Sequence, residues 1–121
     1  MTDPDRAEID AALDRLAEAW AASNPDAVAA AFAPDGVYAA SVGPDPGEVA
    51  RGRAAIRALA ARMFATDAGR SELVERLPLP DGAFWTWRIL EPDGTVTLGC
   101  DRVRVRNSHV VLKDAYRKTA S

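Results

Sequence analysis

From Asp5 to Ala22 the apolar residues Ile9, Leu13, Leu16 and Trp20 recur at steps of four, three and four, the spacing of one face of an amphipathic helix. Ser23-Asn24-Pro25 stops that helix and starts a second, with Asn24 as its N-cap and Pro25 at the first helical position. Val28, Ala29 and Phe32 give the second helix its buried side, and Pro34-Asp35-Gly36 then reads as a turn. The same tripeptide returns at Pro80-Asp81-Gly82 and Pro92-Asp93-Gly94 without similar flanks, so it is repeated turn chemistry and not an internal repeat. Val37 to Val42 predicts a strand, and Gly43-Pro44-Asp45-Pro46-Gly47 a loop. A third helix is expected from Arg53 to Ala65, with Ile56, Leu59, Ala60, Met63 and Phe64 on one face. The second half of the chain changes character. Ser71 to Leu77, Ala83 to Glu91, Thr95 to Arg106 and His109 to Lys118 are rich in β-branched and aromatic residues and are separated by short turns. Three helices around one early strand, followed by four consecutive strands, predict an α+β fold with a mixed, largely antiparallel sheet.

Alternation along the third of those later strands places Asp101, Val103 and Val105 on one face and Arg102, Arg104 and Arg106 on the other. Asp101 therefore faces inward. An inward carboxylate has a structural reading, an ion pair or a strand end near water, and a functional one, a group that acts on a ligand. Trp85 and Trp87 share a strand face with Ile89. They serve either as plain core or, with Trp20, as a wall for a flat apolar ligand.

Composition narrows the classes of function. At 121 residues the chain is one domain, and 48% hydrophobic with 27% charged residues is the composition of an ordinary globular protein. A net charge of −3 with no dominant basic patch argues against nucleic acid or an anionic membrane as partner. Apolar runs break well before the roughly 18 residues that a membrane span needs. The polar start Met-Thr-Asp-Pro-Asp-Arg is unlike a signal peptide and leads to the expectation of a cytoplasmic protein.

One cysteine, Cys100, excludes an internal disulfide, and one histidine, His109, leaves little imidazole for metal or acyl-transfer chemistry. The two are too far apart along their strands to form a thiolate pair. Asp10, Asp14 and Glu18 make an acidic stripe opposite the apolar face of the first helix, best read as solvated. The sequence contains no Gly-x-Gly-x-x-Gly, Walker loop or His-Glu-x-x-His, so no cofactor is expected.

Three segments, taken in order, carry a resemblance: Phe32-Ala33-Pro34-Asp35-Gly36-Val37-Tyr38, Gly52-Arg53-Ala54-Ala55-Ile56-Arg57, and Gly99-Cys100-Asp101-Arg102-Val103-Arg104-Val105-Arg106 before a final strand ending Ala115-Tyr116. Their order and spacing resemble the SnoaL-like and ketosteroid-isomerase-like branch of the nuclear transport factor 2 superfamily, over nearly the whole chain. The resemblance implies a cone: a strongly curved sheet wrapped by three helices, with a deep apolar pocket open at one end. Asp101 falls where isomerases and cyclases of the family keep a functional acid. The isomerase base falls at Ala40, the oxyanion tyrosine at Leu16 and its supporting tyrosine at Ala60, so the usual ketosteroid isomerase machinery is not matched. The epoxide hydrolases' second aspartate falls at Ala115, one residue from Asp114. Tyr38 shares the face of Ala40 and is the candidate helper of Asp101. Leu16, Trp20, Ala40, Leu59, Met63, Phe64, Trp85, Trp87, Lys113 and Arg117 are the expected pocket lining.

Two functions follow as expectations. One is a small cofactor-independent enzyme that isomerises, cyclises, dehydrates or hydrolyses an apolar metabolite, with Asp101 as acid or base. The other is a non-catalytic module of the same fold that binds a small molecule or dimerises. Apolar residues on both faces of the last strand predict a homodimer through the outer face of the sheet. A two-residue turn after Arg106 would set Asp101 opposite Asp114, and a three-residue turn would set it opposite Lys113, the arrangement that family geometry favours.

Overall fold

A computed structural model describes residues 4–66 and 70–118. Met1 to Asp3, half of the polar start noted above, lie outside the described residues. Helix α1 spans Pro4–Ala21 and helix α2 Pro25–Ala31. The Asn24 side chain accepts a hydrogen bond from the Ala27 N–H, the capping that the sequence predicts. Strand β1 covers Phe32–Ala39, strand β2 Val49–Arg51 and helix α3 Arg53–Thr66. Four longer strands complete the chain: β3 at Arg70–Leu79, β4 at Gly82–Leu90, β5 at Val96–Arg106 and β6 at His109–Arg117.

The expected elements are present in the expected order, with one addition and one shift. The addition is β2, a three-residue strand that pairs antiparallel with the end of β1. The shift is β1, which begins at Phe32 and ends at Ala39 instead of running from Val37 to Val42. Pro34-Asp35-Gly36 is therefore not a turn between elements. It forms an irregularity within β1, where the pairing with β6 jumps from Phe32–Val110 to Val37–Leu112. Gly36 is needed there, because a Cβ would stand 3.0 Å from both the Ala33 carbonyl and the Phe32 ring.

The sheet runs β2-β1-β6-β5-β4-β3 and is open. The β1–β6 pair is parallel and the other four pairings are antiparallel. Its inner face and the helices share one core, in which Leu13, Leu16, Val28, Phe32, Ile56, Val103 and Val110 are fully or almost fully buried. The outer face stays uncovered, with Leu77, Leu90, Val96, Leu98 and Tyr116 all about half exposed.

The hairpin between β5 and β6 settles the register. Its turn is two residues, Asn107-Ser108, both at positive φ, with Arg106 opposite His109. A bulge at Val111 then moves the pairing by one, so that Arg104 faces Leu112 and Val103 faces Lys113. Asp101 consequently lies opposite Ala115, and neither of the two registers expected from loop length alone is the observed one. Lys113 nonetheless points inward, because the bulge puts it on the same face as Val110.

Candidate functional site

Inside the open end of the cone is a cavity of about 430 Å³. Its walls come from α1 (Leu16, Trp20), β1 (Tyr38), α3 (Met63, Phe64), β3 (Ser71, Leu73), β4 (Trp85, Trp87, Ile89), β5 (Asp101) and β6 (Lys113, Ala115, Arg117). Strand alternation explains the sheet residues, since each strand contributes every second side chain to the inner face.

Among the described residues Asp101 and Lys113 are the two buried charged ones, 2% and 6% exposed, and their oppositely charged atoms lie 3.7 Å apart. Both carboxylate oxygens have further donors: Trp85 Nε1 donates to Oδ2 at 2.6 Å and Trp87 Nε1 to Oδ1 at 3.0 Å. These bonds follow from register, because Trp85 is directly opposite Asp101 and Trp87 is one inward position away, opposite Gly99. The Trp87 indole lies flat on β5 where there is no side chain. A Cβ at Gly99 would stand 2.1 Å from its Cζ2.

Lys113 Nζ also donates to the Tyr38 hydroxyl at 3.2 Å and sits 4.1 Å and 4.2 Å from the ring centres of Trp20 and Tyr38. Burial by itself pulls the pKa of this ammonium down. The Asp101 carboxylate and the Tyr38 oxygen more than offset that, and the balance is upward, so Lys113 is a fixed positive charge at neutral pH. Because the tyrosine oxygen accepts from Lys113, its own proton is left to donate. At present that proton points to the Met63 sulfur at 3.7 Å, a weak acceptor that a ligand oxygen would outcompete.

Ten of the twelve expected site residues line this cavity: Asp101, Tyr38, Leu16, Trp20, Met63, Phe64, Trp85, Trp87, Lys113 and Arg117. Ala40 and Leu59 do not. Ala40 follows the end of β1, where its N–H bonds to the Glu48 carbonyl, and it is buried in the core, leaving Ser41 to reach the cavity. Leu59, one helical turn before Met63, packs in the core. The sequence reading missed Ser71 and Leu73 of the edge strand β3 and the indole hydrogen bonds to Asp101. Registering β4 against β5 across the Pro92-Asp93-Gly94 turn would have paired Trp85 with Asp101.

Cys100, on the outer face opposite Tyr116, is remote from His109, and burial pushes its thiol up, away from a reactive thiolate. Asp10 and Asp14 of the acidic stripe are occupied by Arg6 and Arg76. Among the described residues no cluster of His, Cys, Asp and Glu could hold a metal ion, and no helix is long and apolar enough to cross a membrane.

Comparison with known structures gives a consistent picture. An NTF2-like protein of unknown function from Mesorhizobium loti superposes with a TM-score of 0.83 at 23% identity, covering 98% of each chain. A protein with a ketosteroid isomerase-like fold from Catenulispora acidiphila, in complex with trimethylamine, gives 0.73 at 21% identity over 87% of this chain and 83% of that one. A protein from Sinorhizobium meliloti proposed as a polyketide cyclase gives 0.75 at 16% identity over 86% and 92%. A comparison with curated proteins found no match. The family model of the SnoaL-like domain matches residues 13–112, and with the cone and its lined cavity in place the chain belongs to that family.

Proposed function

We propose that the protein is a small cofactor-independent enzyme acting on an apolar metabolite, with Asp101 as proton acceptor and the Tyr38–Lys113 pair as the electrophilic partner. The observation that carries this reading is the Asp101–Lys113 pair in the wall of a largely apolar cavity large enough for a small molecule. As the anionic half of an ion pair, Asp101 fits the part of a proton acceptor better than that of a proton donor. The ligand's reacting carbon or attacking water lies against Asp101. A carbonyl, epoxide or leaving oxygen replaces the Met63 sulfur as acceptor of the Tyr38 proton. Negative charge growing on that oxygen is met by a phenol already hydrogen-bonded to an ammonium. This chemistry suits isomerisation, cyclisation, dehydration or epoxide opening. The proposed cyclase role of the Sinorhizobium meliloti protein is of the same kind.

A panel of apolar carbonyl compounds and epoxides, screened for turnover, gives the assay. Asp101→Asn should then lower turnover by about a hundredfold or more, the scale of losing a general base, with ligand binding retained. Full activity in that variant would remove Asp101 from the mechanism. A second reading, a non-catalytic binding module, draws on how well satisfied Asp101 is: Trp85, Trp87 and Lys113 already surround its oxygens. Ligands that bind and are never transformed would favour it.

On either reading, the exposed Leu90, Val96, Leu98 and Tyr116 form the surface through which two copies of the chain would pair. Light scattering at micromolar concentration should give twice the 12.9 kDa chain mass, and a monomer would exclude the pairing.

A further inference from the structure

Four arginines among the described residues are half-buried: Arg6, Arg53, Arg76 and Arg117. Three of them donate hydrogen bonds to acceptors of the protein. Arg6 donates to the Asp10 carboxylate and to the carbonyls of Leu79 and Gly82, Arg53 to the Phe32 carbonyl, and Arg76 to Asp14 and Asp10. Arg117 is different. Its Nε is buried with no hydrogen-bond partner, and its guanidinium lies 5.6 Å from the centre of the Trp87 ring, in the wall of the cavity. A desolvated donor without an acceptor is destabilising. The other charged groups around the cavity are paired or solvated: Lys113 with Asp101, Glu72 with Arg88, and Glu18 exposed to water. Among the described residues, Arg117 Nε is thus the buried side-chain donor left without an acceptor, and it belongs to a residue of the cavity wall.

We infer that Arg117 is a specificity residue that binds a carboxylate of the ligand, so that the substrate class is a flat apolar carboxylic acid. The inference rests on the reading of the cavity as a ligand site and extends it to the identity of the ligand. Geometry supports the placement. Asp101 is level with Ala115 and Arg117 with Gly99, two positions along the same inner face, or about 7 Å at the rise of a strand. Beside them the inner face carries the methyl of Ala115 and, over the bare backbone of Gly99, the Trp87 indole, an apolar floor for a ring system. The ligand's reacting atoms therefore sit at Asp101 with its anion roughly that distance away. A guanidinium presents paired N–H groups that match the two oxygens of a carboxylate. Glu18, bordering the same cavity, favours a singly charged carboxylate over a phosphate dianion.

The test is calorimetric titration of the intact protein with two probes of one shape, 2-naphthylacetate and 2-naphthylacetamide, at neutral pH. The acid should bind about tenfold or more tightly than the amide, the scale of a charge-assisted hydrogen bond. Arg117→Gln should erase the preference of acid over amide, and Arg117→Lys should keep part of it. Equal affinities in the unaltered protein, or a preference that survives Arg117→Gln, would overturn the carboxylate inference and leave the cavity as a ligand site. If neither probe binds, the inference falls together with the reading on which it rests.

Discussion

At the hairpin end of β5 and β6, Val103, Val105 and Val110 are buried in the same apolar cluster as Ile9, Leu13 and Phe32. A few residues along the same strands, Asp101 and Lys113 are as deeply buried, yet with Trp85, Trp87 and Tyr38 they border a cavity. Burial therefore does not distinguish a filled end from a hollow one. What differs is the kind of side chain. The closed end uses branched aliphatics that have only volume to offer. At the open end the large buried side chains of the sheet, Ile89 apart, carry a polar atom, and those atoms satisfy one another: indole N–H to carboxylate, ammonium to carboxylate and phenol. A mutually bonded set of this kind holds side chains in place around a space that packing does not fill.

The largest expected effect tests whether that mutual bonding sustains the open end. Asp101→Leu strands the Lys113 ammonium and two indole donors, and should cost about 3–5 kcal/mol in urea unfolding, the range for breaking a buried pair. Adding Lys113→Met should restore the part of that loss that comes from the unpaired charge and leave the cost of the two unbonded indole donors. A double variant as unstable as the single one would place the effect outside the ion pair.

A smaller effect is expected at Gly99, where Ala would collide with the Trp87 ring. Overpacking of this kind costs about 1–3 kcal/mol. The Trp87 indole N–H should then exchange with solvent faster in nuclear magnetic resonance spectra, while that of Trp85 holds. An unchanged Trp87 signal would mean that the glycine has no part in positioning Asp101.

The smallest effect concerns alkali. Lys113 has a pKa raised above its ordinary 10.5, so the stability it contributes is fully present below that value and is lost as pH rises through the higher, folded-state one. The stability difference between the unaltered protein and the Asp101→Leu, Lys113→Met double variant should be level from about pH 7 to 10 and shrink above the ordinary lysine value. A difference that begins to shrink below about pH 9 would contradict the raised pKa.

Much of the two ends was legible in the sequence because their signals are local. The helical spacing of Ile9, Leu13, Leu16 and Trp20 and the alternation around Asp101 each lie within one element, and both placed their residues correctly. The start of β1 was not legible, because Pro34-Asp35-Gly36 has the chemistry of a turn and only pairing with β6 turns it into an irregularity of a strand. The partner of Asp101 was hidden for a related reason. The bulge at Val111 changes the phase of β6, and neither turn length nor alternation contains that information. The inward direction of Lys113 was anticipated, but through a register that the chain does not use. The indole donors are a product of the β4–β5 pairing and become visible only when the two strands are laid side by side.

All three tryptophans of the chain, Trp20, Trp85 and Trp87, stand in the wall of the one cavity. Lys113 lies against the first, Arg117 near the third, and the carboxylate of Asp101 accepts from the second and third. The tryptophan emission of the protein therefore originates entirely from the surroundings of this space. A molecule that enters, a charge that moves or a hydrogen bond that changes there alters the emission of the whole protein, so the cavity carries its own optical reporter and can be followed without a label.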